Sequence, residues 1–167
     1  MWLSVDPGFT RLGYALWNKD KLVNSGVTGP GERQDGEAWA SYWERGIEHF
    51  GTWFKTQKIT HMVAEKLPPI SASGGFASSP QVPLVFGALS TIRWICFEKR
   101  IKVDFVASQH WKSVYFDDLK ITKAQTRRKI VELYPTLKIN TKLGDIPFDQ
   151  TDAIALGLSW IKEYGIS

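Results

Sequence analysis

The sequence predicts an α/β fold, in which a mixed sheet of five strands is covered by helices on both faces. Three observations support this prediction. Three short β-type runs near the start, separated by turn residues, are typical of a meander. Two further runs of this kind alternate with helical apolar periodicity, which is the order of strands joined through helices. No shift in composition divides the 167 residues, so we expect one domain, 1–167.

The first part of the chain contains the meander and a long helix. Residues 1–6, 12–18 and 21–27 are predicted strands, and Asp6-Pro7-Gly8 ends the first of them. A loop rich in Gly and Pro at 29–36 precedes the helix. Apolar residues recur in this helix at three- and four-residue steps, and we expect them to face the core: Trp39, Tyr42, Trp43, Ile47, Phe50 and Phe54.

The middle of the chain contains a strand, a long loop, a helix and another strand. Residues 59–65 and 101–107 are the fourth and fifth predicted strands. The loop from 67 to 83 is rich in Pro, Ser and Gly, and loops of this length in a compact domain are usually functional. The helix from about 83 to 99 is apolar enough that we expect it to be largely buried.

Two helices are predicted in the last part of the chain. Thr122-Lys-Ala-Gln125 has the pattern of a capping box, which opens a basic helix that ends just before Pro135. The last helix begins near Phe148 or Asp149 and carries a continuous run of small and apolar residues.

Composition favours a polyanionic partner and argues against a membrane. The net charge is +4, and surface Lys and Arg bind phosphates with release of counterions. No apolar run approaches the roughly 20 residues that a membrane span needs. Asp6 lies where a signal peptide would need an unbroken apolar core, so we expect a cytoplasmic protein.

Four acids stand at informative positions. Asp6 ends the first strand and Glu65 the fourth, so the two emerge at one edge of the sheet if those strands are parallel neighbours. Asp149 and Asp152 are three residues apart at the start of the last helix and share a face. Carboxylates in this number suit hard cations such as Mg²⁺, and four can hold the two ions of a phosphodiester hydrolysis.

Each acid also has a purely structural explanation. Asp6 suits a turn before Pro7, and Glu65 suits an exposed strand end. Asp149 is a suitable N-cap, and Asp152 would complement the helix dipole. The ordered combination of all four favours the metal site over four independent structural roles.

Three segments resemble one family. Ser4-Val5-Asp6-Pro7-Gly8 with Gly13-Tyr14-Ala15, then Val63-Ala64-Glu65, then the helix motif Asp149-Gln-Thr-Asp152-Ala-Ile-Ala-Leu, resemble the RuvC-type Holliday-junction resolvases of the ribonuclease H-like superfamily. The resemblance implies a ribonuclease H-like fold. It also implies that Asp6, Glu65, Asp149 and Asp152 are catalytic acids that bind two Mg²⁺ ions per active site, with Mn²⁺ as a substitute.

The resemblance extends to basic residues. The segment 107–112 resembles the part of the family that carries a lysine near the scissile phosphate, which implies that role for Lys112. Lys123 resembles a second such lysine, and both are predicted to be catalytic and to contact DNA. Arg127 and Arg128 extend the patch as predicted contacts to the DNA backbone. A solvated basic helix face is the alternative explanation.

One departure from the family concerns junction opening. Family members carry an aromatic residue a few positions after the second acid, whereas this chain has Lys66-Leu67-Pro68-Pro69-Ile70 there. Ile70 or Phe76 would insert into the DNA instead, because aliphatic wedges also kink duplexes. The sequence does not define the cleavage preference.

The resemblance implies a Holliday-junction resolvase that makes paired, metal-dependent nicks in four-way DNA junctions as a homodimer. The dimer would use the helix at 83–99, or the same residues are intramolecular core: Phe86, Leu89, Trp94 and Phe97. Two alternatives are another ribonuclease H-like nuclease, acting on flaps, branched DNA or RNA–DNA hybrids, and a non-catalytic junction-binding protein.

Overall fold

The structure is a computed structural model that describes residues 1–66, 82–137 and 146–165. In these ranges the elements follow the predicted order, with bounds within about two residues of those expected. The strands are β1 (Trp2–Asp6), β2 (Leu12–Asn18), β3 (Lys21–Thr28), β4 (His61–Lys66) and β5 (Lys102–Ala107). The helices are α1 (Trp39–Thr56), α2 (Val82–Glu98), α3 (Ser108–Phe116), α4 (Lys123–Leu133) and α5 (Phe148–Tyr164).

The sheet has the predicted mixed topology, in the order β3-β2-β1-β4-β5. The meander β1–β2–β3 is antiparallel, while β4 and β5 pair in parallel on the other side of β1. Each parallel connection runs through a helix, as parallel pairing requires. The central position of β1 determines which chain segments meet at its carboxyl end.

Helices cover both faces, as predicted. Apolar residues of α1 and α2 pack on one face, where Leu3, Val5 and Met62 point from the strands. The other face is covered by α3, α4 and α5, which enclose Trp17 and Val63. Helix α3 was not predicted, because it spans only 9 residues and its N-cap, Ala107, makes no side-chain capping bond.

The prediction for α1 is partly wrong. Tyr42, Phe50 and Phe54 are buried along a four-residue step, but Ile47 is 43% exposed and Trp39 is 54% exposed. Ile47 lies off the four-residue row that faces the sheet. Trp39 begins the helix, where its ring contacts Tyr42 and lies under the guanidinium of Arg33 instead of entering the core.

The prediction that α2 is largely buried is also wrong. One face, with Ala88, Ile92 and Cys96, belongs to the core, whereas Trp94 is 58% and Phe97 78% exposed. The helix is therefore apolar on both faces but buried on one, which overall hydrophobicity cannot distinguish. In the part of the chain that the structure describes, no helix combines the length and apolarity needed to cross a membrane.

Candidate active site

The first two acids meet at the carboxyl edge of the sheet. β1 and β4 are parallel neighbours, with Val5 opposite Ala64, and the next residues along them are Asp6 and Glu65. The condition on which the sequence argument depended, that these strands be adjacent and parallel, is therefore confirmed. The two carboxyl groups are close enough for Glu65 to raise the pKa of Asp6.

Helix α5 brings the other two acids to the same edge. Its start lies directly over β2, where a Cβ on Gly13 would stand 1.9 Å from the carbonyl oxygen of Asp149. One turn on, the buried hydroxyl of Ser4 donates to the carbonyl of Ala153 at 2.7 Å and accepts from the indole of Trp17 at 2.8 Å. The sheet thus holds α5 by its backbone, independently of the acids.

Gly13→Ala is expected to destabilise the protein by about 1–3 kcal/mol, because the new methyl group overlaps backbone that has no rotamer to adopt. Thermal melting would measure the change. Gly51→Ala is the matched control, because nothing lies within 4 Å of a Cβ at this position in α1. It should be neutral or stabilise by up to about 1 kcal/mol. Equal melting temperatures for the two variants would contradict the close approach of α5.

The carboxylates destabilise one another's charged forms. Burial raises the pKa of Asp6 well above its ordinary value, and the charges of Glu65 and Asp152 add to the effect. Burial also raises the pKa of Glu65, although its Oε2 accepts a hydrogen bond of 3.0 Å from the indole of buried Trp111. Burial raises the pKa of Asp152 against the opposing charge of Lys123. Such a cluster favours binding of a cation.

Lys123 lies beside these acids. The predicted capping box is present, with Thr122 and Gln125 bonding reciprocally, and it begins α4 at Lys123. The ammonium Nζ is 3.2 Å from Oδ2 of buried Asp152. Burial lowers the pKa of Lys123, but the carboxylates of Asp152 and Asp6 outweigh it and raise the pKa.

The other predicted basic residues differ in where they lie relative to the acids. Lys112 on α3 is close enough to lower the pKa of both Glu65 and Asp152, and its Nζ lies 5.4 Å from the ring centre of the buried Trp111. Arg127 stacks over Phe148 at 4.4 Å, at the start of α5, while Arg128 is exposed on α4. The predicted wedge residues, Ile70 and Phe76, lie outside the described residues.

Arg11 belongs to the site and was not predicted. Its Nη2 lies 3.1 Å from Oδ2 of Asp149, and 60% of its side chain is exposed. Both residues line an open cleft of about 470 Å³ that also contains Asp6 and Lys123. Its place five residues after Asp6, beyond the Asp-Pro-Gly turn, was a usable signal, but only the docking of α5 shows what it contacts.

One wall of the cleft is the loop between β3 and α1, which contributes Glu32. Arg45 of α1 holds this loop in place: its Nε donates to Glu37 at 3.0 Å, and Nη2 donates to the Glu32 carbonyl at 3.1 Å. It also donates to the carbonyl of Pro30. Arg45 thus holds the wall through several hydrogen bonds, together with the hydroxyl of Tyr42, which donates to the carbonyl of Gly31 at 3.1 Å.

The site suits a hard divalent cation by its chemistry. Oxygen donors that repel one another are the ligands that Mg²⁺ and Mn²⁺ prefer. In the described ranges, however, no three or more His, Cys, Asp or Glu side chains converge closely enough to hold an ion as they stand. Two of the acids instead hold cationic side chains, Asp149 with Arg11 and Asp152 with Lys123.

A mixed sheet in this order, with acids at the ends of β1 and β4 and at the start of the last helix, is the ribonuclease H-like fold. Solved structures of RuvC-type resolvases have the same fold. RuvC of T. thermophilus in complex with Holliday-junction substrate has a TM-score of 0.68 at 15% identity, covering 95% of this chain and 90% of that chain.

Two eukaryotic or viral enzymes of similar fold extend the comparison. The fowlpox virus resolvase, solved with substrate Holliday-junction DNA, has a TM-score of 0.54 at 21% identity, covering 98% of this chain and 99% of that one. The yeast mitochondrial Holliday-junction resolvase has a TM-score of 0.57 at 15% identity, covering 96% and 77%. No protein-family model and no curated protein sequence matches this chain.

Proposed function

We propose that this protein is a Holliday-junction resolvase, an endonuclease that makes paired, metal-dependent nicks in four-way DNA junctions. The observation that carries the proposal is the meeting of Asp6, Glu65 and Asp152 at one sheet edge, on the fold of RuvC. At this edge Glu65 and Asp152 raise the pKa of Asp6, and Asp152 raises the pKa of Glu65. A buried group of like charges has no structural benefit of its own. It is explained by a cation and a phosphodiester at the site.

Asp6, Glu65, Asp149 and Asp152 would hold two Mg²⁺ ions, for which Mn²⁺ would substitute. When bound, the ions supply activation of a water molecule and stabilisation of the departing oxygen. The indole of Trp111 orients Glu65 from within the core. The hydrogen bond from Ser4 to the backbone of α5 holds Asp149 and Asp152 beside the strand ends.

Positive side chains of the site would bind the scissile phosphate. Lys123, held by the capped start of α4, can exchange part of its contact with Asp152 for a phosphate oxygen. Lys112 on α3 is close enough to lower the pKa of Asp152 and of Glu65. Arg127 and Arg128 would contact the DNA backbone farther along, and Ile70 or Phe76 would open the junction. The cytoplasmic location stays a prediction from the sequence.

A second copy of this chain would cover the exposed face of α2. Phe86, Trp94 and Phe97 are 40%, 58% and 78% exposed, and their spacings of eight and three residues place them on one side of the helix. Exposed large apolar residues in this concentration favour a protein interface. Two coordinated cuts also require two active sites, which a symmetric dimer provides.

Trp94→Glu is expected to weaken dimerisation by about 30-fold or more, because a two-fold interface would bury the new charge twice and lose a central aromatic residue. Sedimentation equilibrium would measure the dissociation constant. Leu133→Glu is the matched control, since Leu133 is 54% exposed on α4, which covers the opposite face of the sheet. A wild-type protein that is monomeric at high concentration, or a control variant that dissociates equally, would contradict the α2 dimer.

Cleavage of a labelled four-way junction tests the function directly. The junction is compared with duplex, flap and RNA–DNA hybrid substrates in Mg²⁺, in Mn²⁺ and in EDTA. We expect paired nicks across the junction only with metal. Metal-dependent cutting of another substrate alone would keep the nuclease and remove the resolvase assignment. Junction binding without cutting in either metal would instead show a non-catalytic binding protein.

A further inference from the structure

The two acids of α5 hold their cations in different ways. The side chain of Asp152 is 6% exposed, and its partner Lys123, itself 58% exposed, begins a capped helix, so burial of the acid ties this pair to the fold. The side chain of Asp149 is 23% exposed, and Arg11 reaches it from a turn with 60% of its side chain exposed. An exposed ion pair of this kind is weak and open to competition by a polyanion.

The backbone of Arg11 is closely packed by two glycines, whereas its side chain is exposed. A Cβ on Gly8 would stand 2.1 Å from the carbonyl oxygen of Arg11, which shows how tightly the turn after Asp6 folds against it. From the other side, a Cβ on Gly29 would stand 3.0 Å from the Cα of Arg11. The guanidinium therefore extends from a closely packed turn to Asp149, beside the open cleft that both residues line.

Phosphate is the ligand that such a guanidinium prefers to a single carboxylate. The planar fork of arginine binds phosphate oxygens through two parallel hydrogen bonds, and it stays charged at any physiological pH. In this structure Nη2 of Arg11 lies 3.1 Å from Oδ2 of Asp149. A DNA backbone entering the cleft would offer phosphate oxygens that compete with the carboxylate of Asp149 for this guanidinium.

We propose that Arg11 is a positioning residue that couples DNA binding to metal binding. In the free protein it neutralises Asp149 and withholds that carboxylate from the metal site. When DNA enters, its phosphate takes the guanidinium and releases Asp149. The inference rests on the proposed function for the identity of the metal site and of the DNA, and it adds an order of events: metal affinity is low before the substrate binds and rises afterwards.

The first test is metal affinity without DNA. Isothermal titration with Mn²⁺ alone compares the wild-type protein with Arg11→Gln, and with Arg128→Gln as a control that removes the same charge from the exposed face of α4. We expect Arg11→Gln to bind Mn²⁺ about fivefold more tightly. This factor corresponds to the free energy of an exposed ion pair at the upper end of the usual range. The Mn²⁺ affinity of Arg11→Lys should lie between those of the wild type and Arg11→Gln. Equal affinities in wild type and Arg11→Gln would overturn the proposal.

The second test is DNA binding without cutting. Junction affinity is measured in EDTA over a range of salt concentrations, where each lost phosphate contact lowers the salt slope by about one. Arg11→Gln should lose about one contact, and an unchanged slope would overturn the phosphate step. Neither readout depends on cleavage. A wild-type protein that binds neither Mn²⁺ nor junction DNA would contradict the proposed function, whereas unchanged Mn²⁺ affinity and salt slope in Arg11→Gln, with cleavage by the wild type intact, would contradict only this inference.

Discussion

Asp6→Asn is expected to reduce metal-dependent cutting by about a thousandfold or more, while junction binding changes by less than about twofold. The variant removes a carboxylate charge that would bind the metal. The transition state then loses several kcal/mol of stabilisation by the metal charge. The basic residues of α4 are untouched, so the electrostatic attraction for DNA stays. Single-turnover cleavage and a binding titration in EDTA would measure the two effects separately.

The same variant should make the metal-free protein more stable at neutral pH. Because the pKa of Asp6 is raised in the folded state, its carboxyl group favours folding below its unfolded pKa, and that contribution is lost as the pH rises through the folded pKa. Neutral Asn does not carry this cost, so we expect the melting temperature in EDTA to rise by about 2–4 °C at pH 7 and to differ little near pH 4. A lower melting temperature together with lost binding would indicate a folding defect.

Lys123→Ala should reduce cutting by about a hundredfold, as expected when one positioned donor to a developing anion is removed. It should also destabilise the metal-free protein, because buried Asp152 loses its partner at 3.2 Å. The side chain of Lys123 is 58% exposed, so solvent screening limits that cost to about 1 kcal/mol.

Lys129→Ala is the matched control for this prediction. Lys129 lies on the same helix, where its Nζ contacts the ring of Phe116 and not the acids. Both variants lose one positive charge, so both should weaken DNA binding slightly. If the two variants cut at the same rate, Lys123 would be a general DNA-binding residue and its proposed place at the scissile phosphate would be wrong.

The strands and the acidic edge were predictable because local patterns determine them. Alternation and turn residues define β1 to β3, and the acids occupy strand ends whose parallel pairing follows from the helix between them. The capping box at Thr122 was equally local, since its two hydrogen bonds join residues three apart. Each of these predictions required only neighbours in sequence and a general rule of topology.

The missed features depend on contacts that no local pattern contains. Periodicity groups Phe86, Trp94 and Phe97 on one side of a helix, but it does not show whether that side meets the core, solvent or another chain. Trp39 continues the apolar pattern of α1 yet lies at its end under Arg33. The pair of Arg11 and Asp149 joins a turn to a helix from the far end of the sequence, so only the folded chain shows it.

The bond from the hydroxyl of Ser4 to the carbonyl of Ala153 spans 149 positions, more than any other side-chain hydrogen bond described. We expect a loop of this length to close late in folding, because the chain loses conformational entropy on closure before the stabilising contacts form. A ribosome-bound chain whose α5 has not yet emerged therefore lacks two of the four acids, whatever the state of its sheet. The proposed nuclease would therefore become competent only when α5 docks, because Asp149 and Asp152 reach the sheet edge with that helix.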